Sequence, residues 1–473
     1  MTELYRTEVD FLGEMLLPAG TLYGIQTARA LENFPITGIQ LSRFPEFVNA
    51  LAMVKKACVL TNRDLGVIDS ERADAIVAAC DVILSGAHHE AFVVDMIQGG
   101  AGTSTNMNAN EVIANLALNL LGHPTGDYRH VHPNDHVNLS QSTNDVYPTA
   151  IRLALLAQCA PLIEAQAHLQ RVFESKAQDF STILKVGRTQ LQDAVPITLG
   201  MEFAAFAVAI ERDIAHVTQQ SELLKTINLG GTAIGTGINT PPGYSELAVK
   251  RLSEISGFDL SVARNLIEAT SDVSALIAFS GALKRHAVKL SKICNDLRLL
   301  SSGPRAGLGE VRLPPMQPGS SIMPGKVNPV IPEVVNQVAY QVIGNDLTVT
   351  LAAEAGQLQL NAMEPVMVFN LLQSMRFMTQ AINVLADRCV TGIEANVARC
   401  DELLSGTAII STALVPLLGY EEAARIAKLA AARNQTISET VQDLGIMTSA
   451  RFDEVKHLAY SFSSTVDARL SKA

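Results

Sequence analysis

Tryptophan is missing from the 473-residue sequence, and aromatic residues of all kinds make up only 5% of it. Hydrophobic residues still account for 48% of the chain, which is enough for a large core. That core must be built mainly from Ala, Leu, Val and Ile. Because aromatic residues are enriched in strands, the composition favours closely packed helices over an aromatic-rich β-sandwich.

The sequence also lacks a long cluster of Lys and Arg. Its 36 basic and 47 acidic residues give a formal net charge of −11 at pH 7, with a pI of about 5.4. An acidic protein repels the phosphates of nucleic acids, so we expect no nucleic-acid partner. A small anionic substrate is still allowed, because a local site can be positive on a negative protein.

Paired cysteines and long apolar runs are absent as well. None of the six cysteines forms a Cys-x-x-Cys pair, which gives no support to a zinc or thioredoxin-like motif. No uncharged apolar run reaches the ~18 residues of a membrane span. The N-terminal segment carries Glu3, Arg6, Glu8 and Asp10 rather than an apolar signal core. We therefore expect buried, reduced thiols and a cytoplasmic protein with no membrane partner.

Helical periodicity is the main pattern that is present. Apolar residues recur at steps of three and four, which places them on one face of a helix. The clearest series are Phe47, Leu51, Val54 and Cys58; Leu199, Phe203, Phe206, Ile210, Ile214 and Val217; and Leu283, Leu290, Ile293, Leu297 and Leu300. Strand-like alternation is scarce. The predicted fold class is therefore mainly α, while short strands near Phe11–Pro18 and in loops stay open.

The middle of the chain contains the longest helical stretches. Four of them could exceed the length of an average globular helix, at residues 146–178, 198–227, 262–300 and 333–360. Long helices with apolar stripes need partners, and a bundle is the simplest arrangement. Because a single core stops growing at about 250–300 residues, the length indicates several domains. We predict a mixed N-terminal domain at 1–145, a central helical bundle at 146–395 and a small helical C-terminal domain at 396–473.

Residues 319–329, Gly-Ser-Ser-Ile-Met-Pro-Gly-Lys-Val-Asn-Pro, form the most informative segment. They place two hydroxyls, an ammonium group and an amide on a loop that Gly and Pro shape. Such a loop can present backbone N–H groups to an anion. It is not a phosphate-binding P-loop, because five residues separate Gly319 from Gly325 and Val327 follows the lysine.

Three further segments accompany this loop, at residues 102–111 (GTSTNMNANE), 132–145 (HPNDHVNLSQSTND) and 187–196 (GRTQLQDAVP). In this order and spacing, the four segments resemble the signatures of the fumarase/aspartase superfamily, and the resemblance covers nearly the whole chain. It implies a three-domain fold with a central bundle of long helices. It also implies a homotetramer in which three chains contribute to each active site.

The resemblance implies an elimination that begins with the loss of a proton from the β carbon of a dicarboxylate. The resulting aci-carboxylate needs preorganised donors, and the proton needs a base. The family's catalytic serine falls on Ser320, although an isolated Gly-Ser-Ser would be interpreted as a turn cap. The implied substrate-binding residues are Thr103, Ser142, Thr143, Asn144, Thr189, Gln190, Lys326 and Asn328. Ser142, Thr143 and Asn144 also suit a helix N-cap, whose free N–H groups favour a carboxylate.

Gln190 separates two branches of the superfamily, because the branch that hydrates fumarate usually carries histidine there. Loss of water from malate needs a proton on the leaving group, whereas ammonia leaves an α-ammonium group without added acid. Glutamine cannot titrate. We therefore expect the cofactor-independent, reversible deamination of L-aspartate to fumarate and ammonia. A class II fumarate hydratase and a catalytically silent structural homologue are the alternatives. The resemblance also pairs Gln190 with Glu333.

His130, His132 and His136 invite a metal interpretation through their His-x-His-x-x-x-His spacing. No cysteine lies nearby to support structural zinc. We therefore expect no required metal, while activation by a divalent cation stays open. Residues 230–237 lack a preceding apolar strand, so we expect a tight turn against the active site rather than a dinucleotide fingerprint. One departure is Val415, which stands where the superfamily commonly has asparagine, so no role of that asparagine transfers to this chain.

Overall fold

The computed structural model describes residues 4–460, apart from the side chain of Leu458, and it is mainly α-helical, as predicted. Residues 1–3, which include Glu3, and residues 461–473 lie outside the described part. The helices are α1 (Ile25–Asn33), α2 (Pro45–Asp64), α3 (Ser70–Leu84), α4 (Thr103–Leu120), α5 (Thr143–Asp179), α6 (Leu199–Ser221), α7 (Tyr244–Ser256), α8 (Leu266–Ser271), α9 (Ser274–Leu300), α10 (Val330–Glu354), α11 (Glu364–Arg388), α12 (Val397–Gly406), α13 (Val415–Leu418), α14 (Tyr420–Arg433), α15 (Ile437–Asp443) and α16 (Ser449–Tyr460).

The strands are short and pair two by two. Antiparallel pairs are formed by β1 (Tyr5–Asp10) with β2 (Gly13–Pro18), by β3 (Leu184–Thr189) with β4 (Gln192–Thr198), and by β7 (Val311–Arg312) with β8 (Glu394–Ala395). The remaining pair, β5 (Thr226–Ile227) with β6 (Ser261–Val262), is parallel. The open question of a strand near Phe11–Pro18 is thus answered by β2.

The chain forms two compact units that are discontinuous in sequence. The first contains the residues up to 164, with 213–288 and 338–379, and the second contains 165–212, 289–337 and the residues from 380 onward. The limits fall inside α5, α6, α9, α10 and α11, the five longest helices. The predicted domain limits at residues 145 and 395 describe a different division and stay a prediction.

The predicted apolar stripes supply the core. In α2, the side chains of Phe47, Leu51, Val54 and Cys58 are all fully buried. The stripes of α6 and α9 are buried at nearly every predicted position, with Ile214 half-buried. All six cysteines are free and buried, as expected. Burial is therefore decided here by helical periodicity of aliphatic residues rather than by large rings.

One described helix, α5, is by itself long and apolar enough to cross a membrane, and α12 with residues 408–418 would pass only as a bent pair. Of the most apolar stretch of α5, 72% is buried inside the chain. A core helix of a globular protein gives the same pattern.

Three of the predicted long helices differ from their predicted limits, and one of them, the stretch 333–360, ends at Glu354 in α10. The stretch 198–227 leaves helical geometry after Ser221 and continues through a 3-10 turn into β5. The stretch 262–300 is interrupted between α8 and α9, because a carboxylate oxygen of Asp272 accepts the backbone N–H of Ser274 at 3.0 Å. An Asp in this position satisfies a free N–H group of a new helix, so it starts α9 rather than extending α8.

Candidate active site

Thr103 is the first residue of α4, in the first unit, and its side chain is exposed. Its hydroxyl donates to the carbonyl of Gly100 at 2.8 Å. Gly100 and Gly102 both have a φ of +88°, a conformation that favours glycine. The glycine turn therefore delivers Thr103 to a helix N-terminus, where free N–H groups carry a partial positive charge.

Ser142, Thr143 and Asn144 lie at the start of α5, as the N-cap interpretation predicted. The hydroxyl of Ser142 accepts the backbone N–H of Asn144 at 3.2 Å. The side-chain amide of Asn106, one turn into α4, donates to the hydroxyl of Thr143 at 3.2 Å. This contact joins the beginnings of α4 and α5, the two helix starts that carry the four predicted residues of the first unit.

Asp145 is a fully buried carboxylate that the sequence argument missed. One of its oxygens accepts the N–H of Ser142 at 3.0 Å, and the other accepts the N–H groups of Gly230 and Thr232 at 3.0 and 2.9 Å. Burial raises the pKa of Asp145 to about 6, while these three backbone donors oppose the rise. Asn144 also donates to the carbonyl of Ala233 at 2.8 Å. The glycine-rich segment 230–237 thus forms a turn against the predicted substrate-binding residues.

Lys55 is a second buried group that sequence reasoning missed. Its ammonium group has no solvent exposure and donates to Asn138 Oδ1 at 3.0 Å and Gln141 Oε1 at 2.8 Å. The oxygen of Asn138 also accepts from the amides of Asn106 and Asn110, each at 3.1 Å. Burial lowers the pKa of Lys55 to about 7. The asparagines spaced by four in α4 were the available signal for this polar network.

Ser320 lies in a tight loop of the second unit. Its hydroxyl oxygen accepts the backbone N–H groups of Ile322 at 3.2 Å and Met323 at 3.0 Å. The loop is closed where the N–H of Gly319 donates to the carbonyl of Lys326 at 2.7 Å. A Cβ on residue 319 would stand 2.6 Å from that carbonyl oxygen, so only glycine permits this closure.

The donors around Ser320 suit a base as well as a turn cap. Two N–H groups that point at one oxygen stabilise its ionised form, which is what a serine base requires. Lys326 is exposed on the same loop, beside a surface cavity of about 540 Å³ that Ser320 also lines. The amide of Asn328 donates to the carbonyl of Gly319 at 2.8 Å. Asn328 therefore closes the loop in this chain, while its oxygen is left for other contacts.

Thr189 and Gln190 lie at the tip of the β3–β4 hairpin, also in the second unit, and both are exposed. Gln190 and Leu191 have φ values of +53° and +58°. A two-residue hairpin loop needs such angles, but glycine or asparagine normally supplies them. Among the described residues of one chain, no hydrogen bond joins Gln190 to Glu333, so that pairing stays a prediction.

A largely buried group of four charges holds this hairpin to the segment that precedes the serine loop, residues 319–329. Glu310 has no solvent exposure, and its carboxylate lies 2.9 Å from the guanidinium of Arg188 and 3.1 Å from the ammonium of Lys185. Lys185 also contacts Glu202 at 2.8 Å. Two cations and two anions balance one another, as burial requires. No local sequence pattern predicts this group, because Glu310 lies far along the chain from the other three residues.

The helical fold, the paired helix starts and the serine loop together define a lyase of the elimination type, and comparison with known proteins supports this class. Residues 13–344 match the family described as lyase, and residues 410–458 match the family described as fumarase C C-terminus. The chain therefore belongs to the lyases of the fumarase/aspartase superfamily, as the sequence motifs indicated.

Individual relatives show which members of this superfamily the chain is similar to. The chain is 56% identical to an aspartate ammonia-lyase of Pseudomonas canavaninivorans over 95% of both proteins. It is 51% identical to that of Escherichia coli K12, over 96% of this chain and 95% of the relative. A fumarate lyase:delta crystallin from Brucella melitensis, solved bound to cobalt, is 57% identical with a TM-score of 0.94, over 97% of this chain and 100% of that one. A class II fumarase from Schistosoma mansoni is 35% identical with a TM-score of 0.90, over 98% and 100%.

Proposed function

We propose that this chain catalyses the reversible deamination of L-aspartate to fumarate and ammonia. The observation that carries the proposal is the serine loop, in which two backbone N–H groups converge on the hydroxyl oxygen of Ser320. The relatives named aspartate ammonia-lyase, at 51–56% identity over at least 95% of this chain, support the choice of substrate. Gln190 supports ammonia rather than water as the leaving group, because glutamine supplies no acid.

In the proposed mechanism, the alkoxide of Ser320 removes a proton from the β carbon of aspartate. The electron pair moves into the neighbouring carboxylate and forms an aci-carboxylate, which then collapses and expels neutral ammonia. The dianionic intermediate must meet donors that are already aimed at it. The N-terminal ends of α4 and α5, with Thr103, Ser142, Thr143 and Asn144, supply such donors. Lys326 adds a point charge for a carboxylate.

Each described unit holds only part of this set of groups. We therefore propose that the working enzyme is a cytoplasmic homotetramer in which segments of three chains complete each site. Helix α10 supports an assembly, since it has two apolar faces. Val342 and Val349 are buried on one face, whereas Tyr340, Leu347 and Leu351 on the other are each about 60% exposed. A second apolar face at that exposure fits an interface with another chain.

The proposed chemistry uses side chains and backbone donors of this protein and needs no organic cofactor. The Brucella relative was solved with cobalt, but no step above requires a metal. The substrate is a small dicarboxylate, and the proposal includes no nucleic-acid partner.

Replacement of Ser320 by alanine tests the proposal, with Ser321→Ala as the matched control on the neighbouring hydroxyl. Formation of fumarate is followed by its ultraviolet absorbance, with aspartate and with malate as substrates. We expect wild-type turnover of aspartate only, a loss of about 10²–10⁴-fold or more in kcat for Ser320→Ala, and near-normal activity for Ser321→Ala. Unchanged tetramer size in both variants would show that assembly is intact.

Three results would contradict the proposal. Full activity of Ser320→Ala would remove the serine as the base. Turnover of malate but not aspartate would identify a fumarate hydratase. Absence of turnover with either substrate in the wild-type tetramer would favour a structural role.

A further variant, Gln190→His, should keep deaminase activity, because ammonia needs no added acid. Complete loss of that activity with an intact fold would count against the assignment of Gln190.

A further inference from the structure

Three side chains of the kinds that can bind a metal ion lie close together in the loop that follows α4, apart from the proposed catalytic and substrate-binding residues. One ligand atom from each of His123, Asp127 and His130 lies within 4.8 Å of the other two. The two imidazole rings are stacked, with centroids 3.6 Å apart and planes 9° from parallel. Nε2 of His130 lies 3.8 Å from a carboxylate oxygen of Asp127. Two imidazoles thus stand side by side next to one carboxylate.

The other histidines of the sequence motif are used differently. Nδ1 of His132 accepts the N–H groups of Asn134 and Asp135 at 3.1 and 3.2 Å, and Nδ1 of His136 accepts the N–H of His132 at 2.8 Å. Both rings therefore cap the short helical turn at Pro133–Val137. In the described part of the chain, no hydrogen bond reaches a ring nitrogen of His123. The His-x-His-x-x-x-His spacing is thus not a metal motif, but His130 joins a different set.

We propose that His123, Asp127 and His130 bind a divalent transition-metal ion. Two imidazole nitrogens and one carboxylate oxygen form a ligand set that suits Zn²⁺, Co²⁺, Ni²⁺ or Fe²⁺ and leaves coordination positions for water. Mg²⁺ and Ca²⁺ prefer oxygen ligands and fit poorly. Metal–nitrogen bonds of about 2.0–2.1 Å need the ligand atoms to approach more closely. Rotation of the partly exposed His130 ring allows that approach.

The backbone already holds the three ligands in place. The N–H of His123 donates to the carbonyl of Leu118 at 2.9 Å, which fixes the residue against the end of α4. The N–H of His130 donates to the carbonyl of Asp127 at 3.2 Å, which folds the loop back on itself. Between them, the hydroxyl of Tyr128 contacts Glu8 at 3.0 Å. A bound ion would therefore fasten the loop over a buried part of the first unit, so its expected effect is on stability rather than on the proton transfer.

Arg129 competes with a metal ion for the carboxylate of Asp127. Its guanidinium donates to both oxygens of Asp127, at 2.7 and 2.9 Å. The Arg129 side chain is 85% exposed, so moving it from the carboxylate buries no charge. A carboxylate also has about four lone-pair sites, and a bidentate arginine leaves two of them free. The structure therefore predicts that removal of Arg129 strengthens metal binding.

Co²⁺ is the probe for the test, because its visible absorption reports nitrogen and oxygen coordination. The full-length protein without an affinity tag is washed with a chelator and titrated. We expect one Co²⁺ per chain at this site and a higher thermal midpoint with the ion bound. His123→Asn and His130→Asn should each weaken binding at least about 100-fold, since loss of outer-shell partners alone costs 10–100-fold. Arg129→Gln should strengthen it several-fold.

His168→Asn is the matched control, because His168 pairs with Asp387 at 2.7 Å but belongs to no such three-residue group within residues 4–460. It should leave the Kd unchanged. Circular dichroism checks that every variant is folded. The proposal is overturned if the double variant His123→Asn/His130→Asn binds Co²⁺ with the Kd and spectrum of the wild type. It is equally overturned if folded wild-type protein shows no saturable binding.

Discussion

Gly102 is the residue at which the geometry of the first unit makes its sharpest prediction. A Cβ built on Gly102 would stand 2.4 Å from Cδ1 of Tyr147, a ring that is almost fully buried. Its φ of +88° adds a conformational cost for any L side chain. Gly100 has the same φ, but its nearest neighbour would be 3.8 Å away. The pair therefore separates the cost of backbone conformation from the cost of steric overlap.

The magnitudes follow from these distances. A left-handed conformation costs an alanine about 1–2 kcal/mol, and the gain from a less flexible unfolded chain returns about 0.4–1 kcal/mol in both variants. Gly100→Ala should therefore lower the free energy of unfolding by about 1 kcal/mol. Gly102→Ala adds overpacking against the Tyr147 ring, which costs about 1–3 kcal/mol more. The difference between the two variants is the quantity predicted.

The consequence for activity depends on Thr103, which directly follows Gly102. Relief of the overlap needs a shift of about 1 Å, and a displacement of that size near reacting groups can cost about 100-fold in rate. We expect kcat/KM for aspartate to fall by about that factor in Gly102→Ala and only slightly in Gly100→Ala. Urea midpoints at one fixed protein concentration measure the stabilities, and fumarate absorbance measures the rate. Equal urea midpoints for the two variants would refute the steric argument.

Three further predictions concern buried charge and assembly. Glu310→Gln leaves Arg188 and Lys185 without their buried anion, so it should lower the free energy of unfolding by about 3–5 kcal/mol. An unchanged urea midpoint would contradict this. Glu202→Gln, which removes a partly exposed anion, is the control and should have a smaller effect. Burial raises the pKa of Glu364 to about 8 in the folded chain, from 4.5 in the unfolded chain. The protonated carboxyl group therefore makes its full contribution to stability below pH 4.5, and this contribution is lost as the pH rises toward 8. Glu364→Gln should therefore flatten the fall of the thermal midpoint across that range, and parallel curves would disprove it. Leu347→Lys, on the exposed face of α10, should dissociate the proposed tetramer in light-scattering measurements, and an intact tetramer would exclude that face from the interface.

Motifs in the sequence proposed the residues of the site, whereas the buried groups that support these residues left no local pattern. The Ser142–Asn144 segment could be placed at a helix start, because capping residues act within a few positions of the chain. The groups that hold the site residues in place are paired with residues far away in the sequence. Lys55 and Asn138 are 83 residues apart, and Arg188 and Glu310 are 122 apart. A single sequence carries no local pattern for such pairs, so periodicity and motif spacing could not reveal them.

The errors in element limits have a different physical reason. Apolar periodicity predicted long helices, and the stripes of α2, α6 and α9 are buried as expected. It did not predict the break between α8 and α9, because the capping contact of Asp272 satisfies one N–H group without disturbing the apolar pattern. The two compact units could not be predicted from the sequence either, because each is formed by separate stretches of the chain.

Catalytic and supporting residues should therefore respond differently to substitution. Gln190 and Lys326 are exposed and Ser320 is partly exposed, so these side chains bury little surface. Substitutions at such positions usually change stability by less than about 0.5 kcal/mol. Glu310, by contrast, is buried among cations and contributes to the fold through charge balance. The proposed mechanism therefore predicts that substitutions in the serine loop remove activity without loss of stability. A change at the buried charges should instead reduce stability first and lower activity only as a consequence.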